Sequence, residues 1–176
     1  MNKATSNSFS SLIFLFAFLL TPLNTIADSK TMPGSVCEPA NPGTATSHPN
    51  LSLLKKLNIQ NLDASRNIIA ENFIWHYFNP RLPELHGDYH GIEEFKGFFA
   101  KLHEISNGSF QANVINRSVV GDELVIVQTC NRLALEAFEG DTIETNVIVV
   151  WRIVNGKIAE GWDIPSIYNV RIIEKE

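Results

Sequence analysis

From Ile92 to Ile105 apolar side chains recur at helical spacing (Ile92, Phe95, Phe98, Phe99, Leu102 and Ile105), which predicts the clearest amphipathic helix of the chain. Glu93 and Glu94 favour its positive end, Lys101 and His103 lie near its negative end, and Asn107-Gly108 closes it. Upstream, Leu51, Leu53, Leu54 and Leu57 outline a shorter helix, and Asp63 reads as the N-cap of another carrying Ile68 and Ile69. The run Phe73 to Phe78 is aromatic and strand-like, and Asn79-Pro80 ends it. Beyond Gly108 the period shortens to two. Phe110 to Val120, Glu123 to Phe138, Thr142 to Val154 and Lys157 to Ile164 read as strands, joined by hairpin turns at Gly121-Asp122, Gly140-Asp141 and Asn155-Gly156. Helices followed by three consecutive hairpins predict an α+β domain: a curved, mostly antiparallel sheet packed against N-terminal helices, with a pocket on its concave side. There is no βαβ alternation, so a parallel nucleotide-binding sheet is not supported.

The first residues change the picture of where this domain works. Residues 1–27 combine Lys3, an unbroken apolar run from Leu12 to Leu20 and Thr25-Ile26-Ala27, a small-x-small cleavage site, and read as an export signal. Residues 28–49 are rich in Pro, Thr and Ser and form a disordered leader, which leaves 50–176 as a single domain. The mature protein is expected to be secreted or periplasmic, with no membrane attachment after cleavage. Removing Lys3 makes the formal charge one unit more negative than −5, which argues against nucleic acid as a partner. Cys37 and Cys130 would enter an oxidising compartment, where either a bridge or two free thiols is compatible with their positions.

Candidate chemistry centres on Gly156-Lys157-Ile158-Ala159-Glu160-Gly161-Trp162-Asp163. Alternation places Ala159, Gly161 and Asp163 on one face and Ile158, Glu160, Trp162 and Ile164 on the other. Asp163 thus lies at the end of a wall without bulk, where partial desolvation would raise its proton affinity to that of a useful general base. Trp75 and Tyr77 share a face of the aromatic strand, with the Tyr77 hydroxyl as a donor to a developing enolate and His76, of opposite parity, as the fallback. Asn131 and Asn146 sit in otherwise apolar strands and are candidate cavity amides, while His90 is a candidate at the pocket mouth. His86, Asp88 and His90 have the spacing of an extended metal triad but match no specific signature, and no metal or other cofactor is expected. Nucleophile elbows, P-loops, C-x-x-C and H-E-x-x-H motifs are missing from the sequence.

The order of elements, Phe73-Ile74-Trp75-His76-Tyr77, the helix start Gly91-Ile92-Glu93-Glu94-Phe95, and Trp151 to Glu160 together resemble the SnoaL-like branch of the nuclear-transport-factor-2-like superfamily, over roughly Asn50 to Tyr168. The resemblance implies a cone-shaped α+β barrel with an apolar pocket, often dimeric through the outer face of the sheet. It also implies polyketide cyclase, ketosteroid isomerase or epoxide hydrolase activity, or ligand binding without a reaction. In the cyclases and epoxide hydrolases an acid on the last strand acts in the pocket, and Asp163 matches it. The second acid of the epoxide hydrolases falls in Asn131-Arg132-Leu133 and is missing, and the steroid isomerase base falls on Tyr77, which is no carboxylate. A cofactor-free cyclase or isomerase acting on a small apolar carbonyl compound is the expectation that survives. The alternative is a non-catalytic ligand-binding or protein-interaction domain of the same fold, with Trp151 or Trp162 on its exposed sheet face.

Overall fold

Period-two alternation after Gly108 builds a sheet whose register can be followed residue by residue in a computed structural model that describes Cys37 and residues 47–173. The export signal and most of the leader lie outside the described residues. All described residues belong to the compact unit Met32–Glu176. Six strands, β1 (Ile69–Tyr77), β2 (Gly87–His90), β3 (Gln111–Val120), β4 (Leu124–Ala134), β5 (Thr142–Val154) and β6 (Lys157–Ile173), run in the order β2-β1-β6-β5-β4-β3. Every neighbouring pair is antiparallel except β1 and β6, which are parallel. Two helices, α1 (Pro49–Leu54) and α2 (Gly91–Ile105), with a 3-10 turn over Leu62–Ile68, lie N-terminal to the long hairpins.

The predicted elements differ from the observed ones where side chains compete locally. The cap of the Leu62–Ile68 turn is Asn61, whose side chain accepts from the Ala64 amide at 3.3 Å, whereas Asp63 turns outward to Arg66 at 2.7 Å and Lys96 at 3.0 Å. The segment after Arg81, for which no element is predicted, contains β2, which pairs with β1 through Trp75↔Tyr89 and its neighbours. Strand β6 continues past Ile164 to Ile173 by pairing Thr145↔Val170 beyond a register shift. Asn155 and Gly156, at φ 50° and 71°, form the expected left-handed two-residue turn.

The core lies between α2 and the inner face of the sheet. Phe95 and Phe98 of α2 are essentially unexposed and meet the β1 rings, with centroids 4.9 Å apart for Phe73–Phe95, 5.0 Å for Trp75–Phe95 and 4.9 Å for Tyr77–Phe98. Cys37 and Cys130 are bridged, which closes a loop with a sequence separation of 93. A bridge of this kind stabilises by about 2–4 kcal/mol, largely by restricting the unfolded chain.

Candidate active site

Asp163 on β6 is in register with Tyr77 of β1 on one side and Val149 of β5 on the other. Val149 pairs with Val127 of β4, and Val127 with Arg117 of β3. Tyr77, Asp163, Val149, Val127 and Arg117 therefore form one row across five strands, and paired residues of a sheet point to the same face. That face borders a cavity of about 1110 Å³. Its floor includes Trp75, Val127, Thr129, Asn131, Val149 and Asp163, and its opposite wall is built from Leu54 to Asp63 and from Lys96, Phe99 and His103 of α2. A smaller pocket of about 60 Å³ adjoins it, shares Asn131 and Asp163, and adds Tyr77 and Asn79.

Desolvation governs the electrostatics here. Burial pushes the Asp163 carboxyl up from 3.8 to about 7, and no nearby donor or cation lowers it. The accessible surface it retains opens onto the two pockets. A carboxylate with a pKa near neutrality suits general-base work, because the unprotonated form is populated and still binds a proton well. Burial and the Asp163 charge both raise the Tyr77 pKa, which keeps that hydroxyl protonated as a donor, and its oxygen accepts from Asn79 Nδ2 at 3.2 Å. Trp75 Nε1, Thr129 Oγ1 and Asn131 Oδ1 are buried without a hydrogen-bond partner among the described residues, and all three side chains line the larger cavity. Each unsatisfied group costs about 1–3 kcal/mol. Polar side chains set among apolar ones along a concave wall are the arrangement expected of a surface that meets a guest.

The SnoaL-like domain matches residues 52–161. The chain belongs to the SnoaL-like domain family. This SnoaL-like domain shares its fold with TerC, co-crystallised with polyporic acid, at 16% identity, a TM-score of 0.57 and coverage of 68% of this chain and 92% of that one. An NTF2-like protein from Burkholderia pseudomallei K96243 gives 16% identity, a TM-score of 0.58 and the same two coverages, 68% and 92%. A candidate SnoaL-like polyketide cyclase from Jannaschia sp. CCS1 gives 17% identity, a TM-score of 0.55 and coverage of 67% and 85%. At these identities the likeness is one of fold. No curated protein matches the chain.

Tyr77, Trp75 and Asn131 of the SnoaL-like domain and Asp163, two residues past the matched range, come together around the two pockets. His76, His90 and Asn146 do not. His76 lies on the outer face, with Nδ1 2.7 Å from Asp88, Nε2 3.0 Å from Glu160 and its ring stacked on Trp162 at 5.3 Å. Burial opposes charge on that imidazole, but the bonds to Glu160 and Asp88 prevail and hold its pKa above the ordinary value. His90 is exposed ahead of α2, its amide donating to Glu94. Asn146 pairs with Cys130 on the face away from the cavity. His86, Asp88 and His90 do not converge either, since the His86 ring reaches the Asn79 carbonyl and Asp88 reaches His76.

Two expectations about the wall change. The space over Gly161 is filled: a Cβ there would lie 2.7 Å from Trp75 and 2.9 Å from Trp151, so the glycine admits two indoles rather than a ligand. Trp151 is accordingly 6% exposed and belongs to the core. Ile158 also turns inward and is fully buried, because a register shift at Ala159 brings Ile153↔Ile158 and Arg152↔Glu160 into pairing and breaks simple alternation. Thr129 and Arg117 escape a sequence reading. Thr129 shares parity with Asn131 and was discoverable from it. Arg117 was not, because a second shift between Val114 and Asn116 resets the parity of β3 and turns Arg117 onto the face of Val114 and Ala112.

Proposed function

We propose that this protein is a cofactor-free cyclase or isomerase that removes a proton next to a carbonyl in a small apolar ring compound. The observation that carries the proposal is an unpaired carboxyl, with a pKa of about 7, facing a cavity of about 1110 Å³. The proton passes from carbon to an Asp163 oxygen, and the electron pair moves onto the carbonyl oxygen. Tyr77 O–H, in register with Asp163 on the same sheet face, is the donor for that oxygen. The proton returns to a different carbon in isomerisation, or the enolate carbon attacks a second carbonyl in cyclisation. TerC, of the same fold, was co-crystallised with polyporic acid, which supports an organic guest. The Cys37–Cys130 bridge supports export to an oxidising compartment as part of the same proposal. Ile164, 53% exposed on the outer sheet face, supports homodimer formation there.

The test uses 2-tetralone, a bicyclic ketone, in deuterated buffer, with loss of its α-proton signal followed by NMR. The protein should accelerate exchange along a titration curve centred near pH 7, and Asp163→Asn should lower the rate by about 10²–10⁴-fold. Exchange equally fast with Asp163→Asn defeats the proposal. Binding without exchange in either form favours the second reading, a ligand-binding domain, which the three unpartnered polar atoms of the cavity also support.

A further inference from the structure

We propose that the cavity takes a carboxylate-bearing guest, held at its anionic end by Arg117 and presented at its other end to Asp163. The inference rests on the cavity reading above and deepens it by naming the class of compound. Arg117 lines the cavity, is partly buried, and its guanidinium has no hydrogen bond or ion pair among the described residues. Its direction is imposed by the fold. Without the register shift between Val114 and Asn116, alternation would send it to the outer face with Asn113. A bulge that re-aims one long cation into a cavity spends ladder hydrogen bonding on that placement.

The row across the sheet sets the spacing. Arg117 and Asp163 are three strands apart with Val127 and Val149 between them, so their backbones are separated by about 14 Å at most, at roughly 4.8 Å per strand. The two side chains stand on the same face with Val127 and Val149 between them, a span suited to a rigid body of one or two rings. The charges do not neutralise one another, since desolvation is the whole cause of the Asp163 shift. Polarity orders the guest: a carboxylate beside Asp163 would meet a like charge, whereas beside Arg117 it gains a two-pronged guanidinium. The rim has the same bias. Lys55 and Lys56 border the cavity without ion pairs among the described residues, and Lys96 and Asp63 there are paired with each other. In a chain of formal charge −5, Lys55, Lys56 and Arg117 thus border this cavity without ion pairs among the described residues, and raise the local concentration of anions there.

The test compares 2-naphthoic acid with 2-naphthamide, equal in shape and different in charge, through quenching of tryptophan fluorescence in the full-length protein. Wild type should bind the acid about tenfold or more tightly than the amide, with an affinity that falls as salt rises. Arg117→Gln should remove that preference and leave amide affinity within about twofold, and Arg117→Lys should restore part of it. Equal affinity for acid and amide in wild type overturns the anionic end while the cavity stands. So does an acid affinity that Arg117→Gln leaves unchanged. Failure of both compounds to bind overturns this inference together with the cavity reading beneath it.

Discussion

The two faces of the central sheet carry the same kinds of side chain under opposite conditions. On the outer face His76 lies between Asp88 and Glu160, Glu160 is also held by Arg152 at 2.9 Å, and Glu144 is clasped by Arg132 at 2.7 Å and Arg171 at 3.1 Å. On the inner face Asp163 and Arg117 have no such partners among the described residues, and Trp75, Thr129 and Asn131 each leave a polar atom unsatisfied. Stability alone favours the outer pattern, because a buried polar group gains by being paired. The inner pattern gives up stability that its own sequence could recover by closing up. It persists where the surface has something other than itself to bind.

The comparison breaks most visibly at Glu144, which has no exposed surface and lies within 4.8 Å of both bridged sulfurs. Glu144→Ala strips the partner from two arginines, and losing one member of a buried ion pair costs about 3–5 kcal/mol. Because Arg132 and Arg171 are 47% and 39% exposed, they can rehydrate, and the loss should fall at the low end of that range. Urea unfolding measures it. A midpoint unchanged in Glu144→Ala would show that pairing on the outer face carries no stability, and the contrast between faces would lose its energetic meaning.

Gly161→Ala probes the inner face with a smaller effect. The added methyl meets Trp75 and Trp151 ring atoms at 2.7 and 2.9 Å, and overpacking of this kind costs about 1–3 kcal/mol. Since Trp75 also borders the cavity, the indole fluorescence of the folded variant should shift as well. A neutral substitution in both readouts would mean that the two rings move aside freely and that the floor beside Gly161 is not close-packed.

What could be read from the sequence, and what could not, divides by range. The α2 helix and the bounds of β5 follow from local periodicity, and the Asn155-Gly156 turn from two residues whose backbone needs are known. Asp163, Tyr77 and Trp75 follow from alternation along uninterrupted strand segments, and Asn131 from an amide set in an otherwise apolar strand. The failures are non-local. β2 exists because β1 is there to pair with it, and β6 reaches Ile173 because β5 extends alongside. Asn146 was a candidate because an amide in an apolar strand signals a special site without saying which face it serves. Ile158 was misplaced and Arg117 passed over because register shifts leave no compositional mark, and Arg117 lines the cavity.

The smallest effect has the opposite sign from the others and tests the inner face most directly. Folding raises the Asp163 pKa from 3.8 to about 7, so the folded protein binds a proton that the unfolded chain releases between those values. Stability therefore falls as pH rises through this window, and the full cost of an ionised Asp163 is present above it. Asp163→Asn removes the group that ionises. Below pH 3.8 wild type and variant should melt together, as the carboxyl is neutral in both the folded and unfolded states there. Above pH 7 the variant should be the more stable form. Water admitted through the cavity screens the charge, so the gain should be on the order of 1–2 kcal/mol, less than the full shift would imply. Differential scanning calorimetry at pH 3 and pH 8 reads the difference. If Asp163→Asn instead loses stability at pH 8, the carboxylate is held by partners like those on the outer face, and a paired acid of that kind is a poor base.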